Sequence, residues 1–115
     1  MQSALADRSI DAAEVERMNP KREEVAHHMA ELLGDDAVLC LPTAPGIAPK
    51  LATPAEELEN FRAPAFALLC VAGLASLPQI SLPLGMMENF PLGLSLIAPR
   101  GADRGLLDWV ADTLS

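Results

Sequence analysis

The chain has 115 residues, half of them hydrophobic, which fits one domain or one piece of a domain with a packed core and argues against disorder. Its formal net charge of -8 argues against nucleic acid and anionic membrane surfaces, which select for basic patches. Residues 1–36 hold nine acidic and four basic side chains and the remainder seven and four, the pattern of a solvated, acidic helical face at the front of the chain.

Met1 to Ile10 carries no pattern. Asp11 to Met18 reads as a short helix with Ala12, Val15 and Met18 on one side. Asn19-Pro20 then punctuates: Asn19 caps, and Pro20 occupies the first turn of a second helix, where its missing N–H costs nothing. That helix runs to about Leu33 on a stripe of Val25, Met29, Leu32 and Leu33, and Gly34 closes it. His27 and His28 are adjacent on it. Neighbouring helical side chains diverge by about 100°, so the pair cannot readily share a metal ion, and a solvated or structural role is expected.

Asp36 to Leu41 is a strand candidate. Ala37, Leu39 and Leu41 alternate with Val38 and Cys40, so both faces are apolar and both call for cover. Pro42 to Lys50 contains three prolines and reads as a stiff extended loop. Thr53-Pro54-Ala55-Glu56 has the form of a capping box, opening a short helix to about Glu59. A second, apolar helix follows from about Ala63 to Ala72, with Pro64 in its first turn and Gly73 just past its end. It is apolar almost all round and is expected to be buried.

Two period-2 segments come next, Gln79–Leu82 and Leu92–Ala98, separated by the Pro- and Gly-rich stretch Pro83 to Pro91. They read as an antiparallel hairpin, the second strand placing Leu92, Leu94, Leu96 and Ala98 on one face and Gly93, Ser95 and Ile97 on the other. Gly101-Ala102-Asp103 opens a final helix with a stripe of Leu106, Leu107, Val110, Ala111 and Leu114. Trp109 falls off that stripe and should meet another element or a partner chain. The fold class is therefore α/β: a small mixed sheet of about three strands, one antiparallel hairpin, and flanking helices. Such a sheet normally continues into further strands, which is awkward for a self-sufficient monomer.

Chemistry is hard to find in these residues. No serine stands in a G-x-S-x-G setting. A Ser–His–Asp set from His28 and Ser81 can be drawn, but nothing local supports it. Paired carboxylates at Glu23/Glu24, Asp35/Asp36 and Glu56/Glu57 fall on helix surfaces or element boundaries. There is no phosphate loop, no metal motif and no cofactor motif, so no catalytic residue, metal or cofactor is assigned. Cys40 and Cys70 lie in apolar runs and are expected to be buried reduced thiols, with a disulfide between them as the alternative. No apolar run reaches the roughly 18 residues of a membrane span, and the amino terminus lacks a signal pattern, so a cytoplasmic protein without membrane partners is expected.

Four motifs in order carry a resemblance. Asp36, Leu39, Pro42, Thr43 and Pro45 fit a D-x-L-x-x-P-T-x-P strand and loop. Pro78, Ser81, Pro83 and Gly85 fit a G-x-P-x-x-S-x-P-x-G segment. Pro91, Gly93, Leu96 and Ile97 fit a P-x-G-x-x-L-I strand, and Gly101, Asp103, Leu106 and Leu107 a G-x-D-x-x-L-L helix start. From Asp11 to Ser115 the chain resembles the carboxy-terminal part of the amidase signature family, with wording most similar to the indole-acetamide-hydrolase type. It departs at Val71-Ala72-Gly73-Leu74, where many members have Asn before the glycine. The resemblance implies a hydrolase that converts carboxamides to acid and ammonia. It also implies that the Ser nucleophile, the second Ser in a cis peptide bond and the Lys belong to an amino-terminal part not found in this sequence. By the same resemblance, Pro42, Thr43 and Ala44 lie near the substrate pocket and are the candidate binding residues. On this reading the chain alone is inactive, and a small-molecule amide is a partner only of the complete enzyme. The competing reading is a stand-alone structural or interaction module that closes its sheet as a homodimer or with a partner chain. A small enzyme built on His28 or Cys40 is a third.

Overall fold

A computed structural model describes residues 10–114; the unpatterned amino terminus lies almost entirely outside that range. The order is helix α1 (Ala12–Leu33), strand β1 (Leu39–Pro42), helix α2 (Ala55–Ala75), strands β2 (Gln79–Met87) and β3 (Phe90–Ile97), and helix α3 (Asp103–Leu114). The three strands form one antiparallel sheet in the order β1-β3-β2. The α/β class and the hairpin stand as the sequence implied.

β3 is the central strand, and its alternation sorts the core. Ile97 faces one side, where it packs with Met29 and Leu33 of α1 and Ala72 and Ala75 of α2. Leu96 and Ala98 face the other, with Leu82 of β2 and Leu106 and Val110 of α3. The sheet is thus covered by two helices on one face and one on the other. Period-2 alternation in β3 is what makes this three-layer arrangement possible.

Both expected helix pairs are fused. α1 is one helix with Pro20 inside it, and its cap is Asp11, whose carboxylate accepts from Glu14 N–H at 2.9 Å. Pro20 is accommodated because the lining face continues across it: Val15 and Met18 before it and Val25 after it all border the same groove beside Leu74. Arg22 ties the two helices together, donating from Nε to the Leu74 carbonyl at 3.1 Å and from Nη2 to that of Gly73 at 3.5 Å.

α2 likewise runs through Pro64 and past Gly73 to Ala75. The capping box does not form. Pro54 is the cap residue and provides no side-chain hydrogen bond, while the Thr53 hydroxyl donates to the Lys50 carbonyl at 2.6 Å and closes a turn before the helix. Ser76, in the left-handed region at φ 57, ends α2. Nor is α2 buried: Phe66 is 60% exposed, and Leu69 and Leu74 are exposed too. By length and composition this one helix is long and apolar enough to cross a membrane, which removes the sequence ground for excluding one.

The hairpin is longer than its apolar segments. β2 continues through Pro83 to Met87, and β3 begins at Phe90, so the reversal is only Glu88-Asn89. Both turn residues have positive φ, 52 and 68, as the favoured two-residue hairpin turn requires. A register shift between Leu82 and Gly85 absorbs Pro83. Prolines and glycine looked like breakers, but an edge strand with a bulge tolerates them. β1 is also an edge strand and ends in Pro42.

Cys40 and Cys70 are free thiols and exposed, contrary to the burial expected of them: Cys40 sits on the edge strand β1, and Cys70 on α2, where Phe66 and Leu69 are exposed as well. Of the α3 stripe only Leu106 and Val110 are buried, and Trp109 is 53% exposed beside Val38.

Candidate functional site

The candidate residues Pro42, Thr43 and Ala44 leave the end of β1 where it runs beside the middle of β3. Pro42 is the last strand residue, opposite Leu94, and is exposed; Thr43 and Ala44 are half-buried. Thr43 extends the pairing by one bond, its N–H donating to the Gly93 carbonyl at 2.9 Å. That register sets the Thr43 side chain on the Gly93–Ser95–Ile97 face.

On that face three hydroxyls meet. Thr43 Oγ1 lies 2.7 Å from Ser81 Oγ and 2.7 Å from Ser95 Oγ. Ser81 and Ser95 are directly paired across β2 and β3, so the cluster joins both strands of the hairpin to the exit of β1. Ser95 has no exposed surface, whereas Ser81 is open to solvent. Gly93 makes the cluster possible. A Cβ there would fall 2.7 Å from Thr43 Oγ1 and 3.0 Å from Ser81 Oγ, inside contact distance. The missing side chain lets the Thr43 hydroxyl settle onto the sheet.

The sequence motif singles out Thr43 as a candidate but does not point to the two hydroxyls it meets. It pairs Ser81 only with His28, and among the described residues no hydrogen bond joins those two. His28 is exposed on α1, and His27 Nε2 sits 3.1 Å from Glu31 Oε1 on an open helix surface. The signal that could have found Ser95 is its place on the minor polar face of β3, two positions from a glycine. Chemically the cluster can donate and accept hydrogen bonds. Among the described residues it has no base or carboxylate hydrogen-bonded to it, so it is not arranged as an activated nucleophile.

This sheet, with its proline-rich exit from β1 and the hairpin beside it, is the arrangement of the carboxy-terminal portion of amidase signature proteins. The Amidase family model matches residues 1–107, and the chain belongs to that family. It is similar to Amidase 1 of Oryza sativa subsp. japonica, 44% identical over 104 residues, which cover 90% of this chain and 24% of that protein. It is also similar to the chloroplastic Outer envelope protein 64 of Arabidopsis thaliana, at 37% identity over 84% of this chain and 16% of the relative. The fold superposes on the solved structure of allophanate hydrolase from Kluyveromyces lactis with a TM-score of 0.71 and 32% identity, covering 86% of this chain and 16% of that one. The chain thus spans about a quarter or less of the length of these relatives. Since one of them bears the name of an envelope protein, family membership does not by itself fix a cytoplasmic location.

Proposed function

We propose that the chain acts as the carboxy-terminal portion of an enzyme that hydrolyses carboxamides, R–CO–NH2 plus water giving R–COOH and ammonia. On this reading the catalytic Ser–cis-Ser–Lys set is supplied by residues outside the chain. The chain contributes sheet and helices, and Pro42, Thr43 and Ala44 wall the substrate pocket. The observation that carries the reading is the match of 90% of the chain to 24% of an amidase relative, at 44% identity. The proposed setting is the cytoplasm, with no cofactor, and with aryl or indolyl acetamides as the substrate class to try first.

The test is a graft. The matching segment of the Oryza Amidase 1 is replaced by this chain, and ammonia release is measured from a panel of aryl and indolyl acetamides. Turnover by the graft and none by the 115-residue chain alone is expected. A folded graft without turnover overturns the reading, and robust turnover by the isolated chain overturns the assignment of catalysis to other residues.

A second reading is favoured by the exposed apolar side chains of α2 and the hairpin: a module that closes its sheet as a homodimer or with a partner chain. Sedimentation at low micromolar concentration tests it, and a well-behaved monomer counts against it.

A further inference from the structure

We propose that Ser95, Thr43 and Ser81 form a one-way hydroxyl chain ending in an outward O–H donor at Ser81, and that this donor receives an sp2 oxygen. The oxygen is the carbonyl of the substrate amide or a carboxylate oxygen of the acid product. The identity of the acceptor rests on the amidase reading; the order of the protons does not.

The order follows from the protons available. Each hydroxyl has one proton to give and two lone pairs to receive. Ser95 is fully buried, and its one side-chain hydrogen-bond partner among the described residues is Thr43 Oγ1 at 2.7 Å. If Thr43 donated to Ser95, the Ser95 proton would be left in the interior without an acceptor, which buried polar groups avoid. Ser95 therefore donates to Thr43. Thr43 Oγ1 has one further hydroxyl contact, Ser81 Oγ at 2.7 Å. If Ser81 also donated inward, the Thr43 proton would have to find water from a half-buried side chain, whereas the proton of the exposed Ser81 reaches water directly. Thr43 therefore donates to Ser81, whose own proton is left free on the exposed side.

A hydroxyl that already accepts a hydrogen bond is a better donor, by about 10–30% per bond in a chain. Two links upstream of Ser81 thus polarise its O–H and turn it away from Thr43 before any ligand arrives. That is preorganisation: the donor does not have to turn away from a competing partner. Gly93 maintains it by leaving space for Thr43. Ser81 sits beside Thr43, the residue proposed to wall the pocket, so the free proton emerges next to that wall. Ser81 is a candidate contact residue, and Ser95, which acts through Thr43, is a positioning residue.

Two measurements test this. Neutron diffraction on the 115-residue chain is expected to place the Ser95 proton on the line to Thr43 Oγ1 and the Thr43 proton on the line to Ser81 Oγ; the reverse order overturns the proposal. In the grafted amidase, Ser81→Ala is expected to raise KM for the amide, or Ki for the acid, about three- to tenfold with kcat within twofold. Ser81→Thr, which keeps the hydroxyl, is expected to restore it. A change in KM alone assigns the donor to substrate and a change in Ki alone to product, while both unchanged in a stable Ser81→Ala protein overturns the proposal. A graft without turnover speaks against the amidase reading, and the neutron result then decides the hydroxyl chain by itself.

Discussion

Gly93 and Gly85 are two points at which β2 and β3 leave no room for a side chain, and the obstacles differ in kind. At Gly93 a Cβ meets the Thr43 side chain, at 2.7 Å from Oγ1 and 2.9 Å from Cβ. Thr43 can yield by rotating, at the cost of its links to Ser81 and Ser95. At Gly85 a Cβ meets the Leu92 carbonyl oxygen at 2.6 Å, and a paired backbone cannot rotate away. Gly93→Ala is expected to destabilise by about 1–3 kcal/mol and to release Thr43 from the sheet. Gly85→Ala is expected to cost at least as much, by moving the strand at its register shift. Denaturant unfolding checks both; equal stability of Gly93→Ala and the parent would mean that the cluster is not tightly packed. The same substitution in the grafted amidase should disturb substrate binding through Thr43.

At the scale of elements, each long helix keeps a proline inside it. Pro20 and Pro64 each lack the N–H that would bond one turn back, and α1 and α2 persist because their flanks are held. Pro20→Ala and Pro64→Ala are each expected to stabilise by about 1–3 kcal/mol, read as a rise in Tm. A fall would show that the proline-shaped axis is needed for packing on Ile97. These prolines also explain which parts of the fold are legible. The alternation of β3, the hairpin and the start of α3 can be read because their signals are local and unopposed. The fused helices cannot, since Asn19-Pro20 and Pro64 are strong local breakers overruled by tertiary contacts such as Arg22 on the end of α2. Thr53 misleads for a related reason: it belongs to a turn closed by its hydroxyl on the Lys50 carbonyl, and the cap position falls one residue later, on Pro54. Thr43 is singled out as a candidate through the family motif. The joining of Ser81 and Ser95 to it is not, because the register between strands is a long-range property.

As a whole the molecule is a slab, 19 Å across its shortest principal axis against 45 and 40 Å for the others. A sheet with helices on both faces has little depth left for a second layer of core, and large apolar side chains remain outside, Met86 at 68% exposure among them. The isolated chain is therefore expected to bind a hydrophobic dye in its folded state and to associate with rising concentration. Association should increase as the pH falls from 7 toward the isoelectric point near 4.5, where the charge of -8 that keeps molecules apart is lost. Light scattering across that range checks this, and pH-independent monomers would count against an uncovered apolar surface. The strand order β1-β3-β2 also sets a timetable. β2 and β3 are neighbours in the chain and can pair within microseconds of each other's appearance. β1 must wait, since Ser95 lies 52 positions beyond Thr43. At ribosomal speed that is a delay of about 3–10 s. During it α1, and then α2 once it has been made, exist without the strand that anchors them, so the nascent chain is most exposed to chaperones, and to misassembly, before β3 has been made.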